Sequence, residues 1–196
     1  MLGAKWLNLE PVVNAALGLA ARQFNPRVPE EIRLEIEGIA DGAGISYDEA
    51  FAYNTFLTLA EQKNLLKSLS LPSCSNVAAF GPASKDGKLV VGRNLDWEFP
   101  RVLSMYGTVV LFEPKEGHRF FSVGWPGFAG TLTAMNDQGL VITEESVASE
   151  ETSVSGVPLM ILLRQVAQHA STLEEAVAMI RKAPGTCGYH IMISDG

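Results

Sequence analysis

The chain has two cysteines, Cys74 and Cys187, and Cys74 stands where the texture of the sequence changes. Pro72-Ser73 precedes it, and Ser75-Asn76 with an apolar run follows it. A thiol at the start of a strand reads either as a small buried hydrophobe or as a nucleophile. Nucleophilic work needs the thiolate, so something must lower a thiol pKa that is ordinarily about 8.5. Gly92-Arg93-Asn94-Leu95-Asp96-Trp97, one hairpin later, supplies a guanidinium and a carboxylate. Strand alternation puts Arg93 and Leu95 on one face, with Asn94 and Asp96 on the other. An ordinary surface Arg–Asp pair would be worth about 0–1 kcal/mol and would carry no function. This pair is flanked by apolar Leu95 and Trp97 and is returned to Cys74 by the hairpin, which points to a site.

Other chemistries lack their residues. There is no Walker A loop, no GxGxxG after a strand, no HExxH and no metal-spaced Cys/His cluster, so neither a cofactor nor a metal is expected. His118, His169 and His190 are isolated in sequence. A triad assembles in space, so they stay open as partners for a nucleophile without any local motif in their favour.

The elements that must hold Cys74 and Arg93 follow from periodicity. Residues Pro29 to Ala40 predict an amphipathic helix: Pro29 suits its first turn, Glu30 and Glu31 its positive end, and Ile32, Ile36 and Ile39 share a face. Gly42 and Gly44 stop it. Ser46 and Glu49 form a predicted capping box for a second helix through Phe51, Phe56 and Leu59. After Pro72 come short β-like runs at Asn76–Phe80, Lys88–Gly92, Thr108–Phe112, Arg119–Val123, Gly130–Met135 and Leu140–Thr143. Lys85-Asp86-Gly87-Lys88 and Asn136-Asp137-Gln138-Gly139 are turn chemistry between them. Helical periodicity returns from Val157, Ser171 with Glu174 predicts another cap, Pro184-Gly185 ends that helix, and Tyr189 to Ile193 reads as a strand. The order helices, sheet, helices, strand predicts an α+β layered architecture, with residues 1–73 helical and 74–196 forming the sheet-bearing part. A chain that stops after a strand leaves an edge wanting a partner, so the natural protein is expected to continue.

Composition bounds the remaining possibilities. With 196 residues, 47% of them hydrophobic, there is material for one sizeable core. A net charge of −7, with no Lys/Arg run longer than two, argues against nucleic acid and anionic membranes as partners. The apolar stretches Ala15–Ala21 and Val157–Leu163 fall short of the roughly 20 residues that cross a bilayer. Met1 to Arg22 shows no clear signal-peptide cleavage site, and two cysteines make no disulfide framework. A cytoplasmic, reducing location is expected.

Four strings, in order, carry a resemblance: Glu37-Gly38-Ile39-Ala40-Asp41-Gly42-Ala43-Gly44-Ile45-Ser46; Cys74-Ser75; Gly92-Arg93-Asn94-Leu95-Asp96-Trp97; and Gly127 to Val147, followed by Gly156-Val157-Pro158. Together they resemble the cysteine N-terminal-nucleophile hydrolases, which include penicillin V acylase, bile salt hydrolase and the acyl-coenzyme A:6-aminopenicillanic acid acyltransferases. The resemblance spans about Pro29 to Gly196. It implies an αββα layered sandwich behind a helical propeptide and a zymogen that cleaves its own Ser73–Cys74 bond. The freed α-amine, with an ordinary pKa of about 7.7–8, then serves as base for the Cys74 thiol. By similarity Arg93 holds the nucleophile region and substrate, Asp96 orients the Cys74 amine and thiol, and Glu145 serves autoprocessing or the oxyanion side. Glu145 also reads as a solvated strand-end carboxylate, and Asn136 as a turn residue. The family's oxyanion asparagine is expected beyond Gly196.

The activity implied is hydrolysis of a linear N-acyl amide through a thioester, with acyl transfer to an amine as the close alternative. A truncated or unprocessed precursor, acting only as a binding or assembly module, is the alternative from another class. Expected partners are a small-molecule N-acyl substrate, the propeptide itself as an alpha subunit, and a second copy in a homo-oligomer. The apolar segments around Phe99 to Tyr106 and Trp125 to Phe128 suit an acyl pocket, with Phe99, Trp125 and Phe128 as candidate lining.

Overall fold

Pro29 caps helix α1 (Glu30–Ala43), whose first turn carries Glu30 and Glu31 against the positive end of the helix dipole. Ile32, Ile36 and Ala40 recur every four residues and are buried. Gly42 continues the helix, and termination falls on Gly44, left-handed at φ 67°, whose N–H returns to the Ala40 and Asp41 carbonyls. Helix α2 (Tyr47–Glu61) opens on the predicted box. The Ser46 N–H donates to Glu49 Oε2 at 2.9 Å, and the Glu49 N–H donates to Ser46 Oγ at 3.3 Å. The computed structural model that shows this describes residues 17–61, 74–96, 102–147 and 149–196.

A hairpin follows, formed by β1 (Ser75–Gly81) and β2 (Gly87–Asn94), antiparallel, with Ser75 opposite Asn94 and Asn76 opposite Arg93. The other described strands make one antiparallel sheet in sequence order: β3 (Thr108–Phe112), β4 (Phe120–Gly124), β5 (Thr133–Asn136), β6 (Val141–Ser146) and β7 (Tyr189–Ser194). Helices α3 (Leu159–His169) and α4 (Leu173–Lys182) separate β6 from β7.

Two local expectations shift. The strand expected from Gly130 starts at Thr133, because the preceding residues pack on α3: the Thr131 N–H donates to the Met160 carbonyl, and Met160 fills the space beside Gly130. The α4 cap moves by one residue, to Thr172, whose hydroxyl accepts from the Glu175 N–H while the Glu175 carboxylate accepts from the Ser171 N–H.

Alternation gives the sheet two different faces. Phe120, Ala134, Leu140 and Ile142 pack against Leu159, Leu163, Val166 and Ala167 of α3 and Ala176 of α4. The opposite face carries Thr133 and Glu145 toward the hairpin, and Val109, Leu111, Phe121, Val123 and Met135 toward solvent. The described N-terminal helices build a second cluster on the same helix α3: Phe24, Ile32, Ile36, Phe51 and Leu59 pack with Ala129 and Ile161. Two polar tethers tie them in. Asn54, fully buried on α2, donates to the Gly127 carbonyl and accepts from the Ala129 N–H. Arg164 on α3 lies over the Phe112 ring and pairs with Glu35 of α1 at 2.9 Å.

Candidate active site

Cys74 immediately precedes β1, so antiparallel pairing brings the far end of β2 beside it. Side chains two apart share a strand face, and cross-strand partners share it too. Cys74, Asn76 and Arg93 therefore face the five-stranded sheet together. Arg93 Nη2 lies 3.7 Å from Cys74 Sγ. The same nitrogen donates to the Glu144 carbonyl at 2.9 Å and to Glu144 Oε1 at 2.7 Å, while Nη1 donates to Thr133 Oγ1 at 2.8 Å. The Arg93 and Glu144 side chains are only 5% and 2% exposed, so water screens this pair little.

The expected Arg93–Asp96 pairing is corrected here: the guanidinium's carboxylate partner is Glu144. Alternation already separates Arg93 from Asp96, and β6, which supplies Glu144, passes beneath Arg93 by tertiary packing alone. Asp96 sits beside the thiol through its backbone N–H, which hydrogen-bonds the sulfur, while its carboxylate accepts from Asn94 Nδ2 at 2.8 Å. Glu145 lies along the same hairpin face, accepting from Asn76 Nδ2 at 3.1 Å, with His190 Nδ1 of β7 3.8 Å from its other oxygen.

The thiol is not activated by its surroundings. Burial pushes the Cys74 pKa above its ordinary value, the Arg93 guanidinium pulls it back, Glu144 pushes it up again, and the Asp96 N–H pulls it down; the balance is upward. The guanidinium that could lower the thiol pKa does pull it down, but burial outweighs that pull and Glu144 opposes it as well.

Trp125 and Phe128 are buried in a cluster with Leu57, Leu132 and Met160, their rings edge to face at 5.9 Å. Leu95, next to Asp96, packs against that cluster together with Tyr53 and Phe56 of α2, so the apolar group adjoins the cysteine. Ser73, Trp97 and Phe99 lie outside the described residues. Asn136 is structural: its carbonyl oxygen accepts from the Gln138 and Leu140 N–H groups of the β5–β6 turn, and its amide donates to Ala167 and Ala170. His118 contacts Ser171 and Asp137, and His169 approaches Glu31, both away from Cys74. Glu144 and Thr133 are site residues that motif and spacing do not reveal. The one signal for Glu144 is a pair of acidic residues in one short strand, Val141-Ile142-Thr143-Glu144-Glu145.

These features define an α+β protein with a cysteine at the head of a strand, clasped by an arginine from the neighbouring strand. A family model for acyl-coenzyme A:6-aminopenicillanic acid acyl-transferases matches residues 83–196. The chain belongs to that family, part of the N-terminal-nucleophile acyltransferase and choloylglycine hydrolase group. It is 31% identical over 186 residues to an uncharacterized protein of Archaeoglobus fulgidus, covering 86% of this chain and 31% of that protein. It is also 31% identical over 185 residues to protein dcd1A of Dictyostelium discoideum, covering 89% and 40%, and 29% identical over 182 residues to protein dcd1B of the same organism, covering 91% and 34%. The chain thus spans about a third of the length of these relatives.

Proposed function

We propose that this chain carries the nucleophile-bearing part of an autoprocessing cysteine amidase that acts on linear N-acyl amides. The observation that carries this reading is the Cys74 thiol at the head of β1, within 3.7 Å of Arg93 Nη2, in a chain of this family. Cleavage of the Ser73–Cys74 bond creates an α-amine on Cys74. That amine takes the thiol proton, which an uncut amide nitrogen cannot do. The sulfur then adds to the substrate acyl carbon; the C–N bond breaks, the amine leaves with the proton, and a thioester remains. Water adds to the thioester, releasing the carboxylic acid and restoring the thiol. Arg93 and the Asp96 N–H hold the sulfur in place, and Glu145, beside Asn76, serves the cleavage step. The apolar group of Trp125, Phe128 and Leu95 forms the acyl-side wall. The partly exposed sheet face and hairpin match the inner layers of an αββα sandwich.

Acyl transfer is the second reading, supported by the family's description. It differs only in the acceptor: an amine replaces water at the thioester. Purified chain is tested first by intact mass and N-terminal sequencing, then with N-acyl amino acids, with and without an amine acceptor. A fragment beginning at Cys74 and amide turnover that is lost in Cys74→Ala are expected. A chain that stays uncut and gives turnover equal to Cys74→Ala refutes the proposal and favours a binding or assembly role.

A further inference from the structure

We infer that Glu144 is a positioning residue of the Cys74 site: it holds the Arg93 guanidinium beside the sulfur and, as its counterion, offsets the pull of that cation on the thiol. The inference deepens the amidase reading, in which the base for the thiol is the amine freed by cleavage. The geometry is that of a clasp. One nitrogen of Arg93 is bound by both the backbone carbonyl and the carboxylate of Glu144, and the other is anchored on Thr133. With Nη2 held from β6, only a small range of positions is open to it near Sγ.

The electrostatics follow from the same contacts. Nη2 is 2.7 Å from Glu144 Oε1 and 3.7 Å from Sγ, so the anion and the sulfur stand about 6 Å apart or less. Both charges are almost fully buried, with the guanidinium nearer the sulfur and the carboxylate behind it. A buried guanidinium alone would favour the thiolate; one paired this closely has much of that effect offset by its counterion. The other groups facing Cys74 do not replace it. Asp96, at the end of β2, contributes its N–H; Glu145 of β6 is reached through Asn76; and His190 of β7 lies beyond Glu145. The consequence is a cysteine that stays protonated until the amine base appears, which protects an uncut chain from premature alkylation or oxidation.

The test is the pH dependence of Cys74 alkylation by iodoacetamide in the full chain, read by peptide mass so that Cys187 serves as an internal control. Glu144→Gln keeps an acceptor oxygen for Arg93 and removes the charge. Its Cys74 inflection is expected about one to two pH units below that of the wild type, with Cys187 unmoved. Arg93→Gln, which leaves the anion alone, moves the inflection upward. The double variant removes both charges and returns close to the wild-type profile, and it gives the answer should Glu144→Gln fail to fold. A Glu144→Gln profile that coincides with the wild type, or a double variant displaced from it by a unit or more, overturns the inference. Alkylation needs no turnover, so either result leaves the amidase reading standing. Profiles that shift as expected in a chain without amide turnover sink the amidase reading alone.

Discussion

Replacing Asn54 by alanine tests whether the N-terminal helices are structurally inseparable from the sheet-bearing part. Asn54 is fully buried and uses its whole amide: Nδ2 donates to Ala50 O at 3.0 Å and to Gly127 O at 3.1 Å, and Oδ1 accepts from Ala129 N at 2.7 Å. In Asn54→Ala the Ala129 N–H and the Gly127 carbonyl lose this partner in a site closed to water. A buried donor left without a partner costs about 1–3 kcal/mol, and the small cavity adds about 1 kcal/mol more. A loss of about 3 kcal/mol lowers the melting temperature of a chain this size by roughly 6–12 °C. Circular dichroism melting of the full chain reads this directly. Asn54→Asp keeps the acceptor for Ala129 but buries an anion facing two carbonyls, so it should be worse at neutral pH. A fall of less than about 2 °C in both variants would contradict this account, since it would mean that the loop Trp125–Gly130 does not depend on α2. The expected result would also mean that α2 keeps Tyr53 and Phe56 in the cluster that Leu95 packs against.

The raised pKa of Cys74 ties stability to pH. A group whose folded pKa lies above its unfolded value contributes stability below the unfolded pKa, about 8.5 for a thiol, and loses it as pH rises through the folded value. Urea midpoints of the wild type should therefore fall more steeply above about pH 8.5 than those of Cys74→Ala; parallel declines would contradict the burial argument. Two glycine substitutions should act in opposite directions in the same melting assay. In Gly130→Ala the new Cβ would lie 2.7 Å from Met160 Cβ and 3.1 Å from its backbone, costing about 1–3 kcal/mol. Gly38→Ala meets nothing within 4 Å in the middle of α1 and should stabilise by about 0.5–1 kcal/mol, and a loss there would contradict the open helical surface.

Short-range forces account for the features of this protein that are legible in its residues taken in order. Pro29, the Ser46–Glu49 box and the hairpin between Cys74 and Arg93 each involve groups a few residues apart, or strands joined by a tight turn. Their geometry follows from backbone sterics and local hydrogen bonds, and it appears in the fold where the spacing puts it. The same forces place Arg93 beside the cysteine, because a hairpin of this length returns the end of β2 to the head of β1. Where two local choices are nearly equal in energy, as with Ser171 and Thr172 at the α4 cap, spacing misplaces the feature by one residue. Competition for helix contact moves the start of β5 in the same way.

The electrostatic character of the site belongs instead to the assembled fold. Glu144 is 51 residues from Arg93 in sequence, and Thr133 is 40. Neither can be matched to Arg93 without knowing that the hairpin lies across β5 and β6. Whether a guanidinium activates a thiol depends on the net charge and the water around both, and burial is a property of the packed core. An arginine and a cysteine at the right spacing therefore mark the candidate site, while the packing of β6 against the hairpin determines that the arginine is paired there with Glu144.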